Sequence, residues 1–283
     1  MLNGMFDVEG ASLYYEVRGR GPAVLLIAGA GGDAGHFSAL AAALSDAFTV
    51  ITYDRRGNSR SSGRVARPMK MSDQSNDAAA LIRGLAGDKA LVFGNSGGAI
   101  VGMDLAARHP DVVRGLVAHE PPAVRVLPKE DPWHHFFDHI AAQFREYGLG
   151  YAAREFAATV KGGGMMPGDP ELYQRLGGNW DFMFRWEWGT WGDFVPDVRA
   201  LAGAQFPIVL GAGSADRGLY YARPSVEIAK RIGASWAEFP GTHLEFMANG
   251  ALFGAALRTL LTQMYVRTEG MPDEWAQGPN ARI

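Results

Sequence analysis

Five consecutive residues, Gly94-Asn95-Ser96-Gly97-Gly98, carry the clearest chemical signal in the sequence. A hydroxyl framed by glycines, just after an apolar run at 90–93 and just before a helical pattern at 98–108, has the context of a nucleophile turn. The turn is so sharp that neighbouring side chains would collide, and it holds the hydroxyl outward at a helix N-terminus. Ser96 is therefore the candidate nucleophile. A serine hydroxyl is a poor nucleophile at neutral pH and needs a base within hydrogen-bond reach. The 283-residue chain has no cysteine and seven histidines. That excludes disulfides, thiolate metal sites, iron–sulfur clusters and a cysteine nucleophile, and leaves His, Ser, Asp and Glu to do any chemistry. His135 and His139 are spaced to share one helix face, yet no carboxylate follows at a known zinc spacing, so no metal is expected. His109 reads as a residue at a helix C-terminus and His36 as one at a helix start.

The elements that must position Ser96 alternate. Short β-rich runs at 5–8 and 12–18 lead into a continuous apolar run at 23–28, the pattern of a buried parallel strand. A helix at 36–47 follows, with Phe37, Leu40, Ala41 and Leu44 on one face, then a strand at 48–53. The alternation repeats as helix 72–85, strand 90–93, helix 98–108 ended by His109-Pro110, and strand 115–119. It predicts an α/β fold with a parallel sheet and helices on both faces.

From 121 to 205 the alternation stops, and Trp133, Trp180, Trp186, Trp188 and Trp191 accumulate. This segment reads as an inserted helical cap, with a break between two cap helices at Gly162-Gly163-Gly164-Met165-Met166-Pro167-Gly168. Part of the tryptophan set must seal the cap onto the sheet. Those facing the nucleophile would favour a bulky apolar or aromatic substrate, and Trp186, Trp188 and Trp191 are the candidate substrate-binding residues. Met165 and Met166 read mainly as filler packing. The sheet pattern resumes with strand 208–210, helix 224–232, strand 235–239 and helix 251–267. The expected organisation is a core of 1–120 and 206–267, a cap of 121–205 and a loosely held tail of 268–283.

Two further motifs carry a family resemblance. Ala28-Gly29-Ala30-Gly31-Gly32 follows the third strand, and Asp54-Arg55-Arg56-Gly57-Asn58-Ser59 is similar to a D-x-R-G-x-S turn. With the Ser96 motif, they make the chain resemble the α/β-hydrolase fold superfamily, of the serine esterase and lactonase type, over nearly its whole length. The resemblance implies an eight-stranded, mostly parallel sheet with a helical cap. It also implies an oxyanion hole made by the backbone N–H groups of Ala30 and Gly97. The family usually has His-Gly-x where this chain has Ala28-Gly29-Ala30, a mild departure because backbone donors do not depend on side-chain identity. Asp54 to Ser59 is read as a structural turn.

The family carries its base after the last strand, which points to His243 in Pro240-Gly241-Thr242-His243. Two carboxylates occupy positions the family uses for the orienting acid. Asp216 follows the seventh strand, the commoner location, whereas Glu120 ends the sixth, as the acid does in haloalkane dehalogenases and zearalenone lactonases. His119-Glu120-Pro121 resembles the lactonases in particular. A Glu at a strand end before two prolines has little structural excuse, while Asp216 lies in a Gly- and Ser-rich loop where Asp is a natural turn former, so Glu120 is preferred. A Ser nucleophile disfavours dehalogenase and epoxide hydrolase chemistry, which pass through an aspartyl ester in this fold.

Composition removes other classes. Lys and Arg number 27 against 30 Asp and Glu, a net charge of −3, and no basic run exceeds two residues, so nucleic acid is not an expected partner. No stretch approaches the roughly 20 apolar residues of a membrane helix. The first ten residues contain Asp7 and Glu9 and lack the pattern of a secretory signal, so a cytoplasmic setting is expected. The function this predicts is hydrolysis of a small-molecule ester or lactone without a cofactor, with homo-oligomerisation left open. A C–C bond or amide hydrolase, a cofactor-free perhydrolase, or a non-catalytic ligand receptor on the same scaffold are the rivals.

Overall fold

The computed structural model describes residues 1–64, 67–160 and 170–270. Its centre is an eight-stranded sheet in the order β1-β2-β4-β3-β5-β6-β7-β8. The strands are β1 (Leu2–Val8), β2 (Ala11–Arg18), β3 (Ala23–Ile27), β4 (Thr49–Tyr53), β5 (Ala90–Asn95), β6 (Val113–His119), β7 (Ile208–Gly213) and β8 (Ser235–Phe239). β1, β2 and β4 pair antiparallel, and every pairing from β4 to β8 is parallel. The central strands are apolar at consecutive positions because both faces are covered. On one face Leu25, Val92, Leu116 and Leu210 pack under α2 (Met71–Leu81), α3 (Gly97–Arg108) and α9 (Arg223–Ile232). On the other, Val24, Leu91, Phe93 and Val117 meet α1 (Ser38–Leu44), α10 (Glu245–Ala248) and α11 (Gly250–Glu269).

Local chemistry sets the helix limits. α3 ends where His109 precedes Pro110, and α9 carries Pro224 in its first turn and stops at Gly233 in the left-handed region. The helix expected at 36–47 is shorter. Asp33 caps Gly35 and winds Ala34–Phe37 into a 3-10 turn before α1 begins. The helix expected at 72–85 leaves α-geometry after Leu81 and continues as a single π-turn, Ile82–Ala86, where Gly84 lets the Phe6 ring come close. The start of the expected tail is helical instead, because α11 runs on to Glu269, which pairs with Arg114 at 2.7 Å. The rest of that tail, and the expected break at Gly162 to Gly168, lie outside the described residues.

Between β6 and β7 the chain builds α4 (Phe136–Tyr147), α5 (Leu149–Thr159), α6 (Pro170–Phe182), a π-turn (Met183–Glu187), α7 (Trp188–Gly192) and α8 (Val198–Ala202). α4, α5, α6 and α7 pack on one another above the sheet's C-terminal edge, while α8 rests on α3 and α9. No helix among the described residues is long and apolar enough to cross a membrane.

Candidate active site

Ser96 sits between β5 and α3 with φ 57° and ψ −126°, a left-handed backbone that a side chain rarely adopts. The glycines around it are explained by what touches them. A Cβ on Gly98 would collide with the carbonyl of Ile27, and one on Gly94 with the carbonyl of Gly98. A Cβ on Gly29 would lie 2.7 Å from that of Ser96 and 3.0 Å from the amide nitrogen of Gly97. The loop after β3 and the Ser96 turn therefore meet backbone to backbone at Gly29, the residue before Ala30.

Glu120 also has a left-handed backbone, φ 51°, which turns the chain at the end of β6 just before Pro121. Its amide donates to Gly211 O at 2.9 Å. One carboxylate oxygen accepts from the Gly213 amide at 2.8 Å, and the other lies 2.6 Å from His243 Nδ1. Burial alone would push this carboxyl up. The His119 and His243 rings and the Gly213 amide outweigh it and hold Glu120 below the ordinary carboxylate range. Asp216 is buried in the turn after β7, its amide donating to Gly213 O at 3.1 Å and its carbonyl accepting from Leu219. The structure thus brings Glu120, not Asp216, to the Nδ1 of His243.

Behind this pair lies His119, fully buried and caged by Phe93, Phe239 and Phe253. Burial pushes its pKa down to about 4, so the ring is neutral. Asn95 Nδ2 lies 3.0 Å from His119 Nδ1 and 3.3 Å from His243 O, and the Tyr221 ring stacks on His243 with centroids 4.1 Å apart. His243 is therefore held from three sides.

Ser96 and His243 open onto one cavity of about 390 Å³, whose walls include Ala30, Gly31, His36, Phe37, Phe156, Tyr173, Leu176, Trp180, Phe246 and Met247. That volume suits a small organic ligand. The three tryptophans expected to bind substrate are elsewhere. Trp188 is buried inside the cap and donates to Phe137 O at 3.0 Å, and Trp191 lies against Gly97 beneath the Arg55 guanidinium. Trp186 is half-buried, its carbonyl accepting from the Met69 amide. Trp180 faces the cavity in their place. Its signal was present as helical phase, since Tyr173, Leu176, Gly177 and Trp180 fall at i, i+3, i+4 and i+7 on α6.

Arg55 is more than part of a turn. Its guanidinium is buried and donates to Ala28 O and Gly29 O, both at 2.9 Å, which fixes the chain leading into Ala30. The same group pairs with Glu187 of the cap, Nη2 to Oε2 at 3.2 Å. His134 turns inward to Leu127 O, whereas His135 and His139 are exposed beside Asp138 and Glu155. Among the described residues no group of three or more His, Asp or Glu could hold a metal. His109 bonds Asn76 at the end of α3.

Comparison with known proteins places this geometry. The α/β-hydrolase fold family model matches residues 22–161. An uncharacterized hydrolase of Bacillus subtilis, YraK, is 32% identical over 270 residues, covering 92% of this chain and 96% of YraK. A thermophilic esterase from Thermogutta terrifontis superposes with a TM-score of 0.74 at 21% identity, over 93% of this chain and 99% of the esterase. The enol-lactonase from Burkholderia xenovorans does so at 0.69 and 21% identity, over 92% of this chain and 100% of the lactonase. With an eight-stranded sheet of this order, and a relative this similar along almost its entire length, the chain belongs to the α/β-hydrolase fold family.

Proposed function

We propose that the protein is a serine hydrolase that cleaves a carboxylic ester or lactone of a bulky, apolar or aromatic small molecule. The observation that carries this reading is the 2.6 Å contact between Glu120 and His243 Nδ1. With Nδ1 tied to a carboxylate, Nε2 is the ring nitrogen left to take the Ser96 proton. Ser96 Oγ attacks the carbonyl carbon as His243 accepts its proton. The tetrahedral oxyanion is held by the N–H groups of Ala30 and Gly97, and the leaving alcohol departs with the proton carried by His243. Water then adds to the acyl-enzyme by the same route, releasing the acid and restoring Ser96.

Nothing in this sequence of steps needs a cofactor. In this reading the core of 1–120 and 206–267 supplies every reacting group, and α5 and α6 of the cap line the cavity, where the aromatic walls favour large apolar groups. An esterase and an enol-lactonase among the superposed structures support ester and lactone bonds as the target class.

The test is initial rates of the wild type and Ser96→Ala on a panel from short aryl esters to aromatic lactones, with fluorophosphonate labelling of Ser96 in parallel. Turnover lost in the Ala variant supports the reading. Labelling without ester turnover moves the assignment to amide or C–C bonds, and folded protein that is not labelled moves it to a ligand receptor.

A further inference from the structure

We propose that His36 is a substrate-recognition residue, hydrogen-bonding an uncharged oxygen function carried on the acyl chain a few bonds from the scissile carbonyl. This deepens the ester or lactone reading and rests on it. His36 stands in the 3-10 turn Ala34–Phe37 and lines the same cavity as Ser96 and His243. Its ring lies over Gly31, the residue next to Ala30. A Cβ on Gly31 would be 3.3 Å from the His36 Cε1 and 2.8 Å from Leu176 Cδ2, and with φ 82° the position favours glycine, so ring and backbone lie in contact.

The turn is held firmly. Asp33, which caps Gly35 at 2.7 Å, is itself fully buried and pinned by Arg175 from the cap at 2.7 Å and by Arg60 at 3.4 Å. The ring, by contrast, makes no side-chain hydrogen bond within the protein among the described residues. Burial keeps it neutral, with a pKa of about 4, so it offers one donor and one acceptor.

A polar group that makes no side-chain hydrogen bond to the described residues, set in a wall of Phe37, Phe156, Leu176, Trp180, Phe246 and Met247, is open to water or to ligand. A substrate that fills the cavity displaces that water. It keeps the bond if it brings an oxygen, and otherwise leaves the imidazole desolvated and unpaired. No Lys, Arg, Asp or Glu among the described residues lines the cavity, so a charged substituent would be buried without a counter-charge. The class this selects is a neutral, apolar or aromatic ester or lactone with a hydroxyl or oxo group near the reacting carbonyl. One lost hydrogen bond to a neutral group corresponds to about tenfold in kcat/KM, more if the imidazole is left fully unpaired.

The experiment compares p-nitrophenyl 4-phenylbutanoate with its 3-hydroxy derivative on wild type, His36→Phe and His36→Gln, after each variant is shown to be folded by its thermal midpoint and by fluorophosphonate labelling. Wild type is expected to favour the hydroxylated ester by about tenfold, His36→Phe to bring that ratio close to one, and His36→Gln to restore most of it. A wild-type ratio near one, or a preference that His36→Phe leaves in place, overturns the proposal while the ester reading stands. If wild type hydrolyses neither ester and Ser96 is not labelled, the ester reading falls and this inference falls with it.

Discussion

Two glutamates among the described residues are fully buried, and their surroundings differ in kind. Glu120 stands at the end of β6 and faces the His243 imidazole, with one backbone amide as its second support. Glu187 belongs to the cap and faces Arg55, a partner charged at every working pH, with Asn58 at 3.4 Å. Burial of a carboxylate is expensive in both places. At Glu120 a strained backbone holds the carboxylate on His243 Nδ1, an arrangement whose benefit, in the proposed reaction, lies in rate. At Glu187 it is a bond between cap and core that passes through Arg55 to the loop carrying Ala30. The first should therefore be read in rate and the second in stability.

The sharpest way to break that contrast is at the acids. Glu120→Gln should lower kcat by about 10⁴-fold while the protein still folds, because the amide no longer enforces the His243 tautomer or stabilises its cation. Asp216→Asn should change kcat by no more than a few-fold. Steady-state kinetics of the two variants side by side decide the matter, and a larger loss at Asp216 would remove Glu120 from the role given to it.

Next in size is the cap pair. Glu187→Leu leaves the Arg55 guanidinium buried without its counter-charge, and should destabilise the fold by about 3–5 kcal/mol in urea unfolding. Converting Arg55→Met on that background should recover part of the loss, since the unpaired charge is gone. It should also lower kcat in both backgrounds, because Ala28 O and Gly29 O lose their donor. A stability change under about 1 kcal/mol for Glu187→Leu would mean that the two glutamates are not distinguished in this way.

How legible each region was follows from the range of the interactions that build it. The Ser96 turn is local, its glycines answering collisions within a few residues and with one neighbouring strand, so the motif could be read directly. The alternation of β3, β4, β5 and β6 with helices was legible because strands covered on both faces are apolar at consecutive positions. Glu120 was readable because a charged residue at a strand end before Pro121-Pro122 has no local use. Arg55 and Glu187 lie 132 positions apart, and nothing in either neighbourhood announces the other. The number of cap tryptophans says less about the cavity than their helical phase does. A crowded aromatic segment packs mostly against itself, as Trp188 does with Phe137, Phe156 and Phe184, and Trp180, which lines the cavity, is found by following the face of α6.

A third test asks how far the Glu120 side depends on pH. His119 has a folded pKa of about 4 against an ordinary value of 6.5. Between those values the unfolded chain takes up a proton that the folded chain refuses, so stability falls as pH drops from 6.5 towards 4. His119→Phe removes that contribution. Whatever its offset at pH 7, the variant should gain on wild type by about 2–3 kcal/mol by pH 4.5, seen in urea melts at the two pH values. Parallel acid limbs would mean that the ring behind Glu120 is not held neutral.

The smallest expected effect probes the cap side without any charge. Asn179 of α6 donates to Gly31 O at 2.7 Å and to Ser59 Oγ at 2.8 Å, and accepts from the Ser59 amide at 2.8 Å. Ser59 has a left-handed backbone, φ 48°, so this one side chain supports both a strained turn and the loop beside Ala30. Asn179→Ala should destabilise the fold by about 1–2 kcal/mol, less than Glu187→Leu because the groups left behind are neutral. Since α6 also presents Tyr173, Leu176 and Trp180 to the cavity, loosening it should raise KM more than it lowers kcat. If kcat fell instead with KM unchanged, the cap's neutral attachment would be acting on the reacting groups, and the separation of rate from stability drawn between Glu120 and Glu187 would not extend to α6.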